Sequence, residues 1–354
     1  MRVPQADNQE HPVRLGAVVF ALALATAGCG PEEISPVGAG KMRLVWPEPP
    51  EQPHIQYLGA ISTETDMHRR RSLLEGFGEL LFGKKPEGVL VAPYGVAVDS
   101  TGVLFVADSG GGVIHAFDLK TRDYRQFSAL AQGATLQKPI GLALGADRVY
   151  VVDSTLRQVC VFQKSGQFLF AFGQDRFQRP AGIACRSGKD IVYVADAGKH
   201  TLEVFDRDGK LLRGMGSRGL GPGQFNFPTH LSIDSTGRLY VSDTLNYRIQ
   251  VFGPDDRFLT TFGQQGDRPG NFAHPCGVAS DTLGNIYVTD RQFENVQIFD
   301  AQGNILMALG QEGTAPGEFW LPAGICVDLR NRIYVADSFN KRVQIFQLLG
   351  GGNK

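Results

Sequence analysis

The sequence predicts an all-β protein, a six-bladed β-propeller whose blades are four-stranded antiparallel sheets, and three observations carry that prediction. First, one unit recurs six times, opening at Pro93, Pro139, Pro180, Pro228, Pro275 and Pro322, so that successive openings lie 46, 41, 48, 47 and 47 residues apart. Self-similarity at such a period is the mark of a repeat architecture. Second, each unit contains short runs of β-branched, aliphatic and aromatic residues bounded by Gly, Asp, Asn or Pro, which is the pattern of strands separated by turns. Third, the second run of each unit is apolar at both parities, as in LFVA from Leu104 and IYVT from Ile286. Both faces of such a strand must be covered. A sheet stacked between two others achieves this, whereas a two-layer sandwich leaves one face to water. Composition agrees: Gly (44) and Phe (23) are plentiful and Met (5) and Trp (2) scarce, which suits many tight turns better than long amphipathic helices.

The chain opens with an apolar run, Leu15 to Ala25, behind Arg14 and ahead of Thr26-Ala27-Gly28-Cys29. The run is too short to span a bilayer, and small residues before the cysteine predict a cleaved leader over residues 1–28. The tetrapeptide resembles a bacterial lipobox, which implies that Cys29 becomes the lipid-modified first residue. The protein is then expected to be exported and lipid-anchored in the cell envelope, with Gly30 favouring the outer membrane or periplasm. Residues 29–53 hold six prolines between Pro31 and Pro53 and read as an extended tether. The last repeat ends near Leu349 without a fourth strand. Residues 54–62, containing the strand-like IQYLGAI, are predicted to pair beside that repeat's third strand and so close the ring. Residues 63–88 include apolar positions at helical spacing from Asp66 to Phe82 and predict one short helix and a linker. Residues 89–349 form the six blades.

The repeats open with Pro-x-Gly and centre on Tyr-Val-x-Asp. Repeats four and six add Asp243-x-x-Asn246-x-Arg248 and Asp337-x-x-Asn340-x-Arg342, and GxxGxxPGxF loops lead into repeats four to six. On these motifs the chain resembles the NHL-repeat family, of bacterial lipoprotein type, over about residues 90 to 347. Asp108, Asp153, Asp196, Asp243, Asp290 and Asp337 recur in all six units, so they are read as architecture. Asp243 and Asp337 are expected to accept hydrogen bonds from loop amides or from Arg248 and Arg342. The other repeats lack the full set, and their loops must be held by other contacts.

Function is sought in departures from the repeat. These are Tyr94, His230, Cys276, Arg291, Phe293 and Trp320, with Arg218 and Arg268 in the loops. Aromatics beside arginines suit a protein or glycan contact surface, and they also suit the pinning of Gly-rich loops. In the usual propeller geometry the loops entering the innermost strands and those joining second to third strands share one face, where a binding site is expected.

Some similar rings are enzymes. The peptidylglycine-amidating lyase ring holds zinc through histidines just after the opening proline. Here those positions carry Tyr94, Ile140, Ala181, Thr229, Cys276 and Ala323, and only His230 and His274, with Cys276, offer a conceivable zinc set. Regucalcin-like and paraoxonase-like rings place acidic calcium ligands in the channel, and no acidic residue starts an inner strand here. No metal or other cofactor is therefore expected. Cys160, Cys185, Cys276 and Cys326 match no disulfide or zinc spacing and are expected as buried thiols. The formal charge is −1 and no basic cluster is evident in the repeats. Although some NHL rings bind RNA, nucleic acid is not an expected partner. The leading expectation is a non-catalytic scaffold that docks a protein, peptide or cell-wall component and touches the membrane through its lipid. The alternative is a metal-dependent lyase or hydrolase with its site in the channel.

Overall fold

The computed structural model describes residues 44–67 and 88–349. Its strands form six antiparallel sheets, five of four strands and one of five. Each innermost strand, such as Pro93–Val98 or Pro139–Leu144, lies beside the innermost strand of the next sheet, and Pro322–Val327 returns to Pro93–Val98. The chain is thus a closed ring of blades, as the repeat predicts. Six clusters of buried apolar side chains lie in it, one at each junction between neighbouring blades. This is why the second strands carry apolar residues on both faces. Val103–Asp108 and Arg332–Asp337 are buried along their whole length.

The Pro-x-Gly opening follows from the close approach of backbones at the axis. A Cβ built on Gly141 would lie 2.4 Å from the Ala181 carbonyl oxygen, and one on Gly324 would lie 2.4 Å from that of Tyr94. Only hydrogen fits there. In the fourth blade the glycine is replaced by His230, within the strand Pro228–Ile233.

The ring closes through the beginning of the chain. Ile55–Ile61 pairs antiparallel with the last strand, Arg342–Leu348, in the register Ile55↔Leu348, Tyr57↔Phe346 and Ile61↔Val343. Ile55 and Tyr57 are buried in the junction with blade five and Ile61 in the junction with blade one, on either side of a register shift between Tyr57 and Gly59, and the Tyr57 ring meets Phe346 edge-on at 5.5 Å. Closure in one sheet removes an edge that would otherwise stay open. Val45–Trp46, inside the stretch read as a tether, adds a fifth strand outside Ile55–Ile61. Trp46 packs there against Phe346 at 5.8 Å.

Helical structure among the described residues is limited to short 3-10 turns. Glu64–Met67 is one such turn, and the Asp66 carboxylate accepts the N–H groups of Ser62 and Thr63. The remainder of the expected helix lies outside the described residues, as do the leader and Cys29.

The repeated aspartates end the second strands and are fully buried. A carboxylate out of water needs donors on every lone pair, and each one finds them by tying two loops together. Asp153 accepts from the N–H groups of Gln137 and Lys138, ahead of the inner strand, and from Thr155 and Leu156 in the loop after the second strand. Asp108, Asp196 and Asp290 do the same in their blades. In blades four and six, side chains replace the second pair of amides. Asp243 accepts from Asn246, Arg248 and Gln250, and Asp337 from Asn340, Arg342 and Gln344. Arg248 reaches on to the carbonyls of Leu220, Gly221 and Gln224, and so clamps the long Gly-rich loop.

Candidate functional site

The pairing of Pro93 with Asp108, repeated as Pro275 with Asp290, sets the start of each inner strand level with the end of the second strand. The loops that enter the inner strands and those that follow the second strands therefore share one face, called upper here. The short turns between first and second strands lie on the other.

At the upper mouth of the channel, departures from four distant stretches of sequence meet. The rings of Tyr94 (blade one) and His230 (blade four) stack at 5.5 Å with an interplanar angle of 21°. The Cys276 sulfur lies 3.5 Å from His230 Nδ1 and 3.9 Å from the Tyr94 hydroxyl. The Arg291 guanidinium lies 5.8 Å from the centre of the Tyr94 ring, within cation–π range. The imidazole stands at the position that glycine holds in the other five blades, with its Nδ1 beside the Cys276 sulfur.

Electrostatics at this mouth favour uncharged partners around one cation. Desolvation, followed by the positive charges of Arg291 and His274, pushes the His230 pKa down to about 3, so the ring is neutral at pH 7. Burial raises the Cys276 thiol to about 11, against the pull of Arg291. Burial also raises the Tyr94 phenol, and His274 is lowered by burial and by Arg291. A protonated thiol beside a weakly basic imidazole is poorly set up as a nucleophile and base pair. The conceivable zinc set does not assemble: His230 and Cys276 are adjacent, but among the described residues no three His, Cys, Asp or Glu side chains converge to hold a metal.

The other singled-out residues lie elsewhere on the upper face. Arg218 and Arg268 are exposed in the Gly-rich loops, and Phe293 is half-buried in the loop after its second strand. Trp320 lies against Phe339, the ring centres 4.2 Å apart and the planes tilted by 41°, and the two residues are 40% and 55% exposed, which makes an apolar step in otherwise polar loops.

Sequence reasoning missed a basic sector. Lys138, Arg157, Arg176, Arg179, Lys199 and Arg218 lie on the upper loops of blades two to four, where Asp175 is the acidic loop residue. Cations outnumber acids in these loops, although the whole chain is near neutral. Arg176 and Lys199 share Glu203 at 3.3 and 3.2 Å, and with Gly173, Gln174 and Asp175 they line an open cleft. The available signal was phase within the repeat: Lys138 and Arg179 both immediately precede the opening proline.

A family model described as a 6-bladed beta-propeller matches residues 183–261 and 277–352. The chain is a six-bladed β-propeller. Among curated proteins it is similar to "Protein brain tumor" of Drosophila melanogaster, 29% identical over 144 residues, which are 40% of this chain and 14% of that protein. It is also similar to "B-box type zinc finger protein ncl-1" of Caenorhabditis elegans, 32% identical over 141 residues, 39% of this chain and 16% of that protein. The propeller thus corresponds to a small part of each relative's length. Among solved structures, the virginiamycin B lyase from Staphylococcus aureus superposes with a TM-score of 0.53 over 73% of this chain and 96% of its own, at 15% identity. That likeness is one of fold.

Proposed function

We propose that this chain is an NHL-repeat propeller of the bacterial envelope, held by a lipid on Cys29, and that it acts as a non-catalytic scaffold whose upper face docks a protein or peptide. One observation carries the reading. Residues that break the repeat at positions 94, 230, 276 and 291 converge on a single mouth, while residues that keep it are consumed in holding the loops. Stiffness supports it: loops tied by buried carboxylates lose little freedom on binding, so less of the interaction energy is spent on ordering. The Trp320 and Phe339 pair supplies the exposed aromatic area typical of binding hot spots. The neutral states of Cys276 and His230 support binding over covalent chemistry. The apolar leader and the TAGC tetrapeptide support the anchor.

The test is crosslinking capture in cells with a photoreactive residue placed at Phe293 on the upper face or at Leu329 on the lower. A partner crosslinked from position 293, absent from position 329 and lost on Trp320→Ala/Phe339→Ala, is expected. Equal capture from both faces refutes the assignment, and an RNA adduct in place of a protein refutes the partner class. Lipid labelling that persists in Cys29→Ser refutes the anchor.

A further inference from the structure

Arg291 differs from the other arginines that hold this fold. Arg186, Arg238, Arg248, Arg332 and Arg342 each pair with a carboxylate. Among the described residues, Arg291 forms no ion pair. Its guanidinium rests over the Tyr94 ring, and its own N–H is spent on the His274 carbonyl. The two carboxylates that flank its loop are committed elsewhere. Asp290 accepts the N–H groups of Ala273, His274, Gln292 and Phe293, and Glu294 accepts that of Leu321. The charge is felt by its surroundings, since both His230 and His274 are held down by it. A guanidinium that makes no ion pair, set among buried neutral groups, is a site for an anion.

We propose that Arg291, with the Tyr94 hydroxyl and a ring N–H of His230, forms a carboxylate-binding site at the upper mouth of the channel, which takes a free peptide C-terminus or an acidic side chain of the docked partner. The proposal rests on the upper face being the docking face. A guanidinium presents two parallel donors to a carboxylate, and the neutral hydroxyl and imidazole can add one each without charge repulsion. Single charge fits the single cation, and a peptide source fits what adjoins it. The Leu321 N–H bond to Glu294 ties the loop that carries Trp320 to the loop that carries Arg291, and Phe339 donates its N–H to the Trp320 carbonyl. A peptide anchored by its carboxylate therefore has an exposed aromatic pair nearby for an apolar side chain.

The test titrates the full-length protein with three peptides, acetyl-Ala-Ala-Phe as the free acid, the same peptide as its amide, and acetyl-Ala-Asp-Phe-amide, reading the imidazole nitrogen signals of His230 by NMR. Binding of the free acid with shifts at His230, weakened at least about tenfold in the plain amide, is expected for a C-terminal source. Equal strength in the Asp-bearing amide assigns the site to acidic side chains. Arg291→Gln should abolish the discrimination and Arg291→Lys should keep part of it, because lysine retains the charge but not the fork. The wild-type comparison of acid with amide stands alone if either variant folds poorly. Acid and amide peptides that perturb His230 equally, or not at all, overturn the site. If a partner is still captured from position 293 in that case, the docking face survives without it.

Discussion

Replacing His230 by glutamine removes a titration that the fold suppresses. The ordinary imidazole value of 6.5 falls to about 3 in the folded ring, through burial first and then the charges of Arg291 and His274. The sign follows from linkage. With the folded pKa below the unfolded one, the unfolded chain binds the extra proton between them, so the contribution to stability is complete above pH 6.5 and is lost as pH falls toward 3. At about 1.4 kcal/mol per pH unit, pH 5 lies far enough below the unfolded value to cost about 2 kcal/mol. For a propeller of this size that is a fall in melting temperature of roughly 3 °C. The assay is thermal unfolding of wild type and His230→Gln at pH 7.5 and pH 5.0. The drop between the two pH values should be smaller in the variant by about that amount. Asp99, Asp108 and Asp234 are depressed by hydrogen bonds, Asp108 to about 2, so their losses fall below about pH 4 and are common to both proteins. Equal drops would show that His230 titrates freely, and the picture of a dry, cationic mouth would fail with it.

Other outcomes test the frame that carries this mouth. Tyr57→Ala empties a buried site on the closing strand and should cost about 3–5 kcal/mol; a melting curve superposable on wild type would mean that Ile55–Ile61 does not bear the closure. Arg342→Lys keeps one charge where the guanidinium reaches Asp337 and the carbonyls of Thr314, Ala315 and Glu318. It should cost about 1–3 kcal/mol and speed amide exchange across Gly310 to Phe319, and unchanged protection there would refute the clamp. With its thiol raised to about 11, Cys276 should react with iodoacetamide far more slowly at pH 7.5 in the native protein than in urea. Reaction at the rate of an unfolded cysteine would show a thiolate that the buried site is argued to disfavour.

What the sequence disclosed and what it hid follow from how a ring relates distance in sequence to distance in space. The blades were legible because each uses the same chemistry at the same phase, and the closing strand because the last repeat lacks its fourth run. The roles of Asp243 and Asp337 were legible too, since a carboxylate, an amide and a guanidinium at fixed spacing have few other uses. Val45–Trp46 was not. Two residues among prolines carry no period, and what orders them is distant, the Trp46 ring lying against Phe346 and close to the backbone of Gly317. The basic sector was hidden because its six members are spread from position 138 to 218, and only the ring sets them on neighbouring loops. Tyr94 and Cys276 lie 182 residues apart and still meet, because both follow an opening proline at the start of an inner strand. His230 joins them from the next position of its own repeat and Arg291 from the end of a second strand, two places that the repeat brings to the same end of the ring. Phase within the repeat, more than separation in sequence, therefore tells which residues can meet at the mouth.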